Sequence, residues 1–200
     1  MNKHTVHIIG IDEAGRGPLA GPVAVGVFIM YSHAIPKVRR LFRGVKESKQ
    51  LSESQREKWF AIIEAARDAG LIDFSVQFQS ARQIDVSGLT KTINKAIRRG
   101  LKKVVGNKKT DECLVLLDGG LRAPEHFKNQ KTIIRGDEKK TVIALASICA
   151  KVLRDRRMKS YATKYPGYGF DIHKGYGTRA HYAALKKHGI SPLHRRSFLL

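Results

Sequence analysis

The sequence predicts an α/β fold, in which a sheet is covered by helices on both faces. Residues 5–12 (TVHIIGID) carry apolar side chains at both odd and even positions, as in a strand that is buried on both faces. Further strand-like segments alternate with amphipathic helical patterns, which is the arrangement of layered α/β proteins. The 200 residues, of which 42% are hydrophobic, suffice for a single domain over residues 1–200.

The first part of the chain predicts two neighbouring strands followed by a loop. Residues 23–30 (VAVGVFIM) form a second apolar run, and the short connection that precedes it contains Gly and Pro. Such a connection favours an antiparallel pair. Residues 31–51 are polar and basic, and their composition predicts a loop.

A helix is predicted over residues 51–70 (LSESQREKWFAIIEAARDAG). Ser52 followed by Gln55 is typical of a capping box, and Gly70 is a C-terminal stop signal. One apolar stripe is predicted to face the core: Trp59, Ile62, Ile63 and Ala66.

A third strand and a second helix follow. Residues 72–79 (IDFSVQFQ) alternate in polarity, and residues 89–105 have helical periodicity. The outer face of this helix is strongly basic, which suits either a solvated face or a nucleic-acid contact. The side chains predicted to face inward are Leu89, Ile93, Ala96, Ile97, Leu101 and Val104.

The second half of the chain predicts two short strands and a long helix. ECLVLLD ends at Asp118 and TIIRGD ends at Asp137. A helix is predicted over residues 138–163. Its buried side is predicted to carry Val142, Leu145, Ala146, Cys149 and Val152. From about residue 164 to residue 200 the chain is basic and rich in Gly and aromatic residues, with one short helix predicted near residues 178–188.

The charge balance favours a polyanionic partner. There are 38 Lys and Arg residues and 17 Asp and Glu residues, so the formal net charge is +21 at pH 7. Nucleic acid is the commonest polyanion, although a merely basic surface is the alternative. An anionic membrane is the weaker rival to nucleic acid, and no membrane partner is expected. No segment approaches the ~18 apolar residues of a membrane span.

The cysteines and the N-terminus favour a cytoplasmic location. Cys113 and Cys149 lie in apolar runs, without the paired spacing of a zinc site, and are predicted to be buried. The first fifteen residues lack a signal-peptide pattern.

Three carboxylates stand where apolar runs end. Asp12, Asp118 and Asp137 occupy these positions, and Glu13 follows Asp12 directly. Active sites of α/β sheets are built at strand ends. Clustered carboxylates repel one another unless a cation is bound, and oxygen-only ligands suit Mg²⁺ or Mn²⁺. The alternative is a set of turn formers, with Asp137 as a helix cap.

In so basic a chain, a carboxylate cluster of this kind favours phosphodiester hydrolysis. Two divalent ions can hold a scissile phosphate and stabilise the leaving oxygen. Gly15, Arg16 and Gly17 follow the acidic pair at once. The glycines let the backbone approach a ligand, and Arg16 offers a fork for phosphate.

Five segments are spread over nearly the whole chain in a distinctive order: GIDEAGRGPLAGPVAVG, KESKQLS, LLDGG, IIRGDEKKTVIALASICAKVLRDRRM and YPGYGFDIHKGYGTRAHYAALKKHGISPLHRRSF. They resemble the successive motifs of the bacterial ribonuclease HII family. The resemblance implies a ribonuclease H-like fold, with a mixed sheet whose first three strands are antiparallel and a small C-terminal helical portion.

The resemblance also implies an activity. The family's endonucleases cut the RNA strand of RNA–DNA hybrids, and they cut 5′ of single ribonucleotides in duplex DNA, leaving 5′-phosphate and 3′-hydroxyl ends. Two divalent ions, Mg²⁺ or Mn²⁺, are expected in the active complex. The sequence carries no obvious dimerisation stripe, so a monomer is expected.

The family's site residues map onto this chain by motif. The segment at residues 15–17 and Tyr176 are expected to recognise the ribose 2′-hydroxyl, and Lys49 is expected to lie near the phosphates. Two positions depart from the family: Glu47 stands where Asp is usual, and DGG replaces Asp-Gly-Asn after residue 117. The resemblance places the catalytic, metal-binding carboxylates at Asp12, Glu13, Asp118 and Asp137.

Several other polar residues are predicted to be structural. Asp155 is expected to pair locally with the arginines at positions 154, 156 and 157, and His173, His181 and His194 are expected to pack or to face solvent. Two rival functions remain at this point. One is a related nuclease that acts only on long hybrids, and the other is a non-catalytic basic RNA-binding protein.

Overall fold

The computed structural model describes residues 6–199, and this range contains five strands and eight α-helices. The strands are β1 (His7–Ala14), β2 (Val23–Met30), β3 (Ile72–Gln79), β4 (Cys113–Asp118) and β5 (Gln130–Ile133). The helices are α1 (Ile35–Leu41), α2 (Glu53–Asp68), α3 (Ala81–Ser87), α4 (Leu89–Val105), α5 (Gly136–Lys139), α6 (Thr141–Lys164), α7 (Phe170–His173) and α8 (Arg179–His188). Residue 5 of the first predicted strand lies outside the described residues.

The strands form one mixed sheet in the order β3-β2-β1-β4-β5. β1, β2 and β3 are antiparallel neighbours, whereas β4 is parallel to β1 and β5 is parallel to β4. The predicted α/β class and the antiparallel pairing of the first two strands are therefore confirmed. Ile11 of β1 lies opposite Leu117 of β4, so the next residues, Asp12 and Asp118, emerge side by side at one edge of the sheet.

Helices cover both faces of the sheet. Along β2, Val25 and Val27 point into a core shared with α4, whereas Phe28 and Met30 point into a core shared with α2 and α6. This division follows from the two-residue period of a strand, which sends successive side chains to opposite faces.

Helix α6 crosses the sheet at very close range. A Cβ added to Gly10 of β1 would lie 2.2 Å from the carbonyl oxygen of Val142, and one added to Gly26 of β2 would lie 2.2 Å from that of Ala146. Only glycine permits this approach. The close contact brings Ser147 of α6 down to the end of β1. The side chains predicted to face the core from this helix are all buried.

The best-predicted helices are those with strong local signals. Ser52 and Gln55 form both bonds of the capping box that begins α2. The predicted α2 stripe is only partly right, because Phe60 is buried while Trp59 and Ile62 are half-buried. The predicted inward face of α4 is confirmed, with Leu89 packed at its margin. Helix α8 also lies where it was predicted.

The loop predicted over residues 31–51 is wrong in part. Helix α1 occupies Ile35–Leu41, and short 3₁₀ turns occupy Ser32–Ala34 and Ser48–Gln50. Pro36 suits the first turn of α1. Val38 and Phe42 are fully buried in the α2/α6 core, so packing outweighs the polar composition. Helices α3 and α7 were not predicted.

The strand predicted to end at Asp137 is also wrong in its extent. β5 ends at Ile133, Arg135 adopts a left-handed conformation with φ 53°, and Asp137 lies inside the short helix α5. The Gly136 N–H donates to the Asp118 carboxylate at 2.6 Å. This bond turns the chain toward the end of β4, so Asp137 reaches the sheet edge from a helix rather than from a strand.

The C-terminal portion packs against the segment that follows β1. Ala20 and His194 form an isolated antiparallel bridge, and the Leu19 and Ala20 amides donate to the Gly175 carbonyl at 2.9 and 3.2 Å. Cys113 and Cys149 are buried and unpaired, as predicted. None of the helices within residues 6–199 is long and apolar enough to span a membrane.

Candidate active site

Three aspartates meet at the edge of the sheet where β1 and β4 end. One carboxylate oxygen from each of Asp12, Asp118 and Asp137 lies within 4.8 Å of the other two. Asp12 and Asp137 are buried, and Asp118 is half-buried. The parallel pairing of β1 with β4 delivers the first two, and α5 delivers the third.

Asp12 faces helix α6 in a poorly solvated position. Its Oδ1 accepts the Glu13 N–H at 2.7 Å, and its carboxylate also bonds with the Ser147 hydroxyl. The Ser147 hydroxyl lies 2.7 Å from that of Ser48, which ties the 3₁₀ turn after residue 47 to the site. Burial, followed by repulsion from Glu13, raises the pKa of Asp12 to about 8. Neither serine was predicted as a site residue: Ser147 stands in an apolar stretch, and Ser48 lies in the polar KESKQLS segment.

Asp137 does not cap the long helix. Helix α6 begins at Thr141 with Lys140 at its N-cap, whereas Asp137 Oδ1 accepts the neighbouring Glu138 N–H at 3.1 Å. The other oxygen, Oδ2, is buried without a hydrogen-bond partner among the described residues. The capping alternative that the sequence left open is therefore excluded.

Glu13 stands beside the aspartates rather than among them. Its Oε1 accepts a bond from Arg16 Nη1 at 2.9 Å, and its Oε2 is buried without a partner in the described chain. Burial raises the pKa of Glu13, while Arg16 opposes the shift. The structure thus brings together three of the four predicted carboxylates, with the fourth adjacent and held by an arginine.

Glu47 and Lys49 approach the cluster from the segment before α2. The Lys49 Nζ lies 3.7 Å from Asp137 Oδ2 although the side chain is 78% exposed. Burial lowers the pKa of Lys49, but Asp137, Asp12 and Glu47 outweigh it and raise the pKa above its usual value. Glu47 is buried beside Asp137, and burial and a hydrogen bond with Asp137 raise its pKa. Lys49 was predicted near the site from its motif, whereas Glu47 was not predicted as a neighbour of the cluster, although its departure from the family pattern was a signal.

The cluster suits a hard divalent cation. All of its donors are carboxylate oxygens, which Mg²⁺ and Mn²⁺ prefer. Asp137 Oδ2 and Glu13 Oε2 have no hydrogen-bond partner within residues 6–199, although Lys49 Nζ lies 3.7 Å from the former, so both oxygens can accept a metal cation. The site is also locally negative in a chain of net charge +21.

The two glycines of the segment at residues 15–17 have very different surroundings. Gly15 has φ +87°, and a Cβ there would lie 2.0 Å from Arg154 Nε. A Cβ on Gly17 would meet no heavy atom within 4 Å. Gly15 is thus packed against the protein, while Gly17 faces open space that a ligand can enter.

Tyr176 is held beside this segment. The Leu19 and Ala20 amides donate to the carbonyl of Gly175, and the Tyr176 ring remains 43% exposed with the Arg154 guanidinium 5.9 Å from its centroid. The structure therefore brings the residue 15–17 segment and Tyr176 to the same part of the surface, next to the acidic pair.

The C-terminal histidines support Tyr176 through packing. The Ser191 N–H donates to His194 Nδ1 at 3.0 Å, the Nε2 atoms of His194 and His181 lie 3.0 Å apart, and His181 Nδ1 lies 2.9 Å from the Tyr176 carbonyl oxygen. This order of bonds is consistent with neutral rings, and burial lowers the pKa of His194 to about 4. Packing or solvent exposure was predicted for His173, His181 and His194. The contacts above show that His181 and His194 pack, and His173 Nε2 lies 2.6 Å from the Tyr168 carbonyl oxygen.

Asp155 lies outside the site, as predicted, but its partners differ from those expected. It pairs with Lys151 at 2.8 Å and with Arg56 at 3.6 Å. Arg154 instead turns inward, where its guanidinium donates to the carbonyls of Pro22 and Lys174 at 2.9 and 3.0 Å.

A stability measurement tests the environment of Asp12. Between pH 4 and 8 the metal-free folded protein retains an Asp12 proton that the unfolded chain releases, because the folded pKa is about 8 against an ordinary 3.8. The protonated Asp12 carboxyl therefore makes a contribution to the free energy of unfolding that is fully present below pH 4 and is lost as the pH rises toward 8. In chelator, we expect the Tm of the wild type to fall by a few degrees per pH unit relative to that of Asp12→Asn. Parallel Tm curves for the two proteins between pH 6 and 8 would contradict the raised pKa of Asp12. Added Mn²⁺ should make the Tm difference between the two proteins less dependent on pH.

Comparison with known proteins identifies relatives over nearly the whole chain. The profile of the ribonuclease HII family matches residues 9–200. Ribonuclease HII of Endomicrobium trichonymphae is 44% identical over 198 residues, which cover 98% of this chain and 87% of that protein. Ribonuclease HII of Fusobacterium nucleatum is 41% identical over 196 residues, with 96% and 86% coverage.

A solved structure has the same architecture. The crystal structure of ribonuclease H2 from Pyrococcus horikoshii OT3 superposes with a TM-score of 0.73 at 26% identity. The match covers 96% of this chain and 93% of that one. The mixed five-stranded sheet and its flanking helices are thus shared with a ribonuclease H-type nuclease.

Proposed function

The chain belongs to the ribonuclease HII family of metal-dependent nucleases, and on this premise we propose that it cuts duplexes on the 5′ side of ribonucleotides, including a single ribonucleotide embedded in DNA. Its proposed substrates are RNA–DNA hybrids and ribonucleotide-containing duplex DNA. Its proposed products carry 5′-phosphate and 3′-hydroxyl ends. The observation that carries the proposal is the convergence of three aspartates beside the segment at residues 15–17.

The proposed metal ligands are Asp12, Asp118 and Asp137, with Glu13 completing the acidic site. Bound there, two ions of Mg²⁺ or Mn²⁺ would supply Lewis-acid stabilisation of the phosphate and activation of water. The all-oxygen donor set and the unpartnered oxygens of Asp137 and Glu13 support this assignment. The raised pKa of Asp12 means that ion binding has to displace a proton, so ion affinity should increase with pH up to about 8.

The chain's own cations are proposed to hold the phosphates around the site. Lys49 extends from the surface toward Asp137, so its ammonium can reach an oxygen of the phosphate at the acidic cluster. The Arg16 guanidinium is half-exposed and fixed at one end by Glu13, so its free edge can contact a neighbouring phosphate. Exposed Lys and Arg side chains elsewhere would bind the duplex backbone with a steep salt dependence.

The segment at residues 15–17 and Tyr176 are proposed to select the ribonucleotide. The 2′-hydroxyl is the group that distinguishes RNA from DNA at a given sugar. Gly17 leaves room for a sugar to approach the backbone, and the exposed Tyr176 ring offers a surface beside it. Recognition through backbone amides and one aromatic ring requires no particular base sequence.

A cleavage assay tests the proposed function. A labelled DNA duplex with one ribonucleotide is incubated with Mg²⁺, with Mn²⁺ or with chelator, and the cut is mapped beside an all-deoxy duplex. We expect a metal-dependent cut immediately 5′ of the ribonucleotide and none in the all-deoxy duplex. Cleavage of long hybrids alone would favour the related nuclease. Salt-sensitive binding without cleavage would favour a basic binding protein.

A further inference from the structure

Arg195 is a completely buried arginine that binds the segment after the acidic pair. Its Nη2 donates to the Gly15 carbonyl at 2.6 Å, its Nη1 to the Arg16 carbonyl at 2.9 Å and its Nε to the Gly21 carbonyl at 3.0 Å. One guanidinium near the end of the chain thus organises three peptide groups near its beginning.

The backbone around Arg195 is fixed to the same segment. The Arg195 N–H donates to the Leu19 carbonyl, and the Gly21 N–H donates to the Leu193 carbonyl, both at 2.8 Å. These bonds set the guanidinium at a defined depth beneath residues 15 and 16. The fork geometry of arginine then holds both carbonyls at once, which a lysine ammonium matches poorly.

The positions of these carbonyls determine where the following amides point. The described peptides are trans, and in a planar trans peptide the C=O and the next N–H point in opposite directions. Because the Gly15 and Arg16 carbonyls turn inward to Arg195, the Arg16 and Gly17 N–H groups turn outward. Gly17 has open space around it, so a ligand can reach these donors.

Arg195 also makes these amides better donors. A carbonyl that accepts a charge-assisted hydrogen bond polarises its peptide group and strengthens the N–H of the same unit. The two outward N–H groups therefore gain both direction and strength from a buried residue that does not itself reach the surface.

We propose that Arg195 is a positioning residue for ribonucleotide recognition, which aims the Arg16 and Gly17 amides at the ribose 2′-hydroxyl. This inference rests on the proposed function, since it names the residue that sets the specificity of the same site. A merely structural clamp would change stability without changing the preference for ribose, so the preference is the quantity to measure.

The test compares binding to two fluorescein-labelled DNA duplexes that differ by one 2′-hydroxyl. All proteins carry Asp118→Asn and are measured with Mg²⁺, with the absence of cleavage checked on a gel. We expect Arg195→Lys to lower the preference, which is the affinity for the ribonucleotide duplex divided by that for the all-deoxy duplex, by about tenfold. This loss equals the net contribution of about two ordinary hydrogen bonds, and the affinity for the all-deoxy duplex should change little. The controls are Arg196→Lys, at the exposed neighbouring position, and Val104→Ala, which weakens the core on the far face of the sheet.

The outcomes separate this inference from the function on which it rests. If the unsubstituted Arg195 protein prefers the ribonucleotide duplex and Arg195→Lys keeps the full preference, the inference is overturned while the proposed function stands. If the protein with Arg195 shows no preference, the proposed specificity fails first.

A second measurement needs no substitution at Arg195 and can still refute the inference if that variant does not fold. In ¹⁵N-labelled protein, the Arg16 and Gly17 amides should exchange at least tenfold more slowly with the ribonucleotide duplex than with its all-deoxy counterpart. Equal exchange at both amides would contradict the inference.

Discussion

Asp118→Asn should reduce metal-dependent cleavage by about a thousandfold or more, because it removes one charge from the proposed metal site, where a bound ion would supply several kcal/mol of transition-state stabilisation. The fold should survive, since the amide oxygen of Asn can still accept the Gly136 N–H that Asp118 accepts at 2.6 Å. The measurement is kcat/KM on the single-ribonucleotide duplex with Mg²⁺ and with Mn²⁺.

Asp73→Asn is the matched control for this loss. Asp73 lies in β3 opposite Ile29, toward the end of the sheet that is remote from the three aspartates. Its carboxylate accepts a hydrogen bond from the N–H of the next residue, Phe74, at 2.8 Å. It should retain wild-type activity. Cleavage by Asp118→Asn within about tenfold of the wild type would show that the cluster is not the catalytic metal site.

The second large effect is the difference in stability between an alanine substitution at residue 15 and one at residue 17. Gly15→Ala combines a left-handed backbone, φ +87°, with a Cβ placed 2.0 Å from Arg154 Nε. We expect it to destabilise the protein by about 3 kcal/mol and to lower the Tm by roughly 6–12 °C. Gly17→Ala places its Cβ in open space, so its Tm should stay near that of the wild type.

Activity then distinguishes packing from substrate approach. Gly17→Ala should raise KM for the ribonucleotide duplex, because its methyl group occupies space in front of the backbone donors. Thermal unfolding in chelator and steady-state kinetics of both variants provide the comparison. A stable Gly15→Ala together with an unstable Gly17→Ala would contradict the packing described for this segment.

Local signals made much of the fold predictable. The bounds of β2, the inward face of α4 and the Ser52–Gln55 capping box follow from periodicity and from contacts within a few residues. The proximity of Asp12 and Asp118 was expected only from the rule that active sites of α/β sheets are built at strand ends. The parallel pairing of β1 with β4, which produces it, was not predicted. Helix α1 escaped prediction because two buried side chains, Val38 and Phe42, anchor it within a polar segment.

The support of the site was not predictable in the same way. Arg195 meets Gly15 across 180 positions, and Arg154 meets Pro22 across 132. Both arginines lie in the family-like segments, but no local pattern there indicates that either reaches the residues after β1. The position of Asp137 also depends on a tertiary bond from Gly136 to Asp118. Sequence motifs thus identified the predicted chemical groups, while long-range packing determined how they are held.

Anomalous diffraction at the manganese edge, from crystals of the wild-type protein equilibrated with Mn²⁺, is the measurement that tests the central claim most directly. The account predicts an ion bound by oxygens of Asp12, Asp118 and Asp137, at the edge where β1 and β4 end. A cluster without manganese at concentrations that support full cleavage, or an ion held elsewhere in the chain, would contradict it.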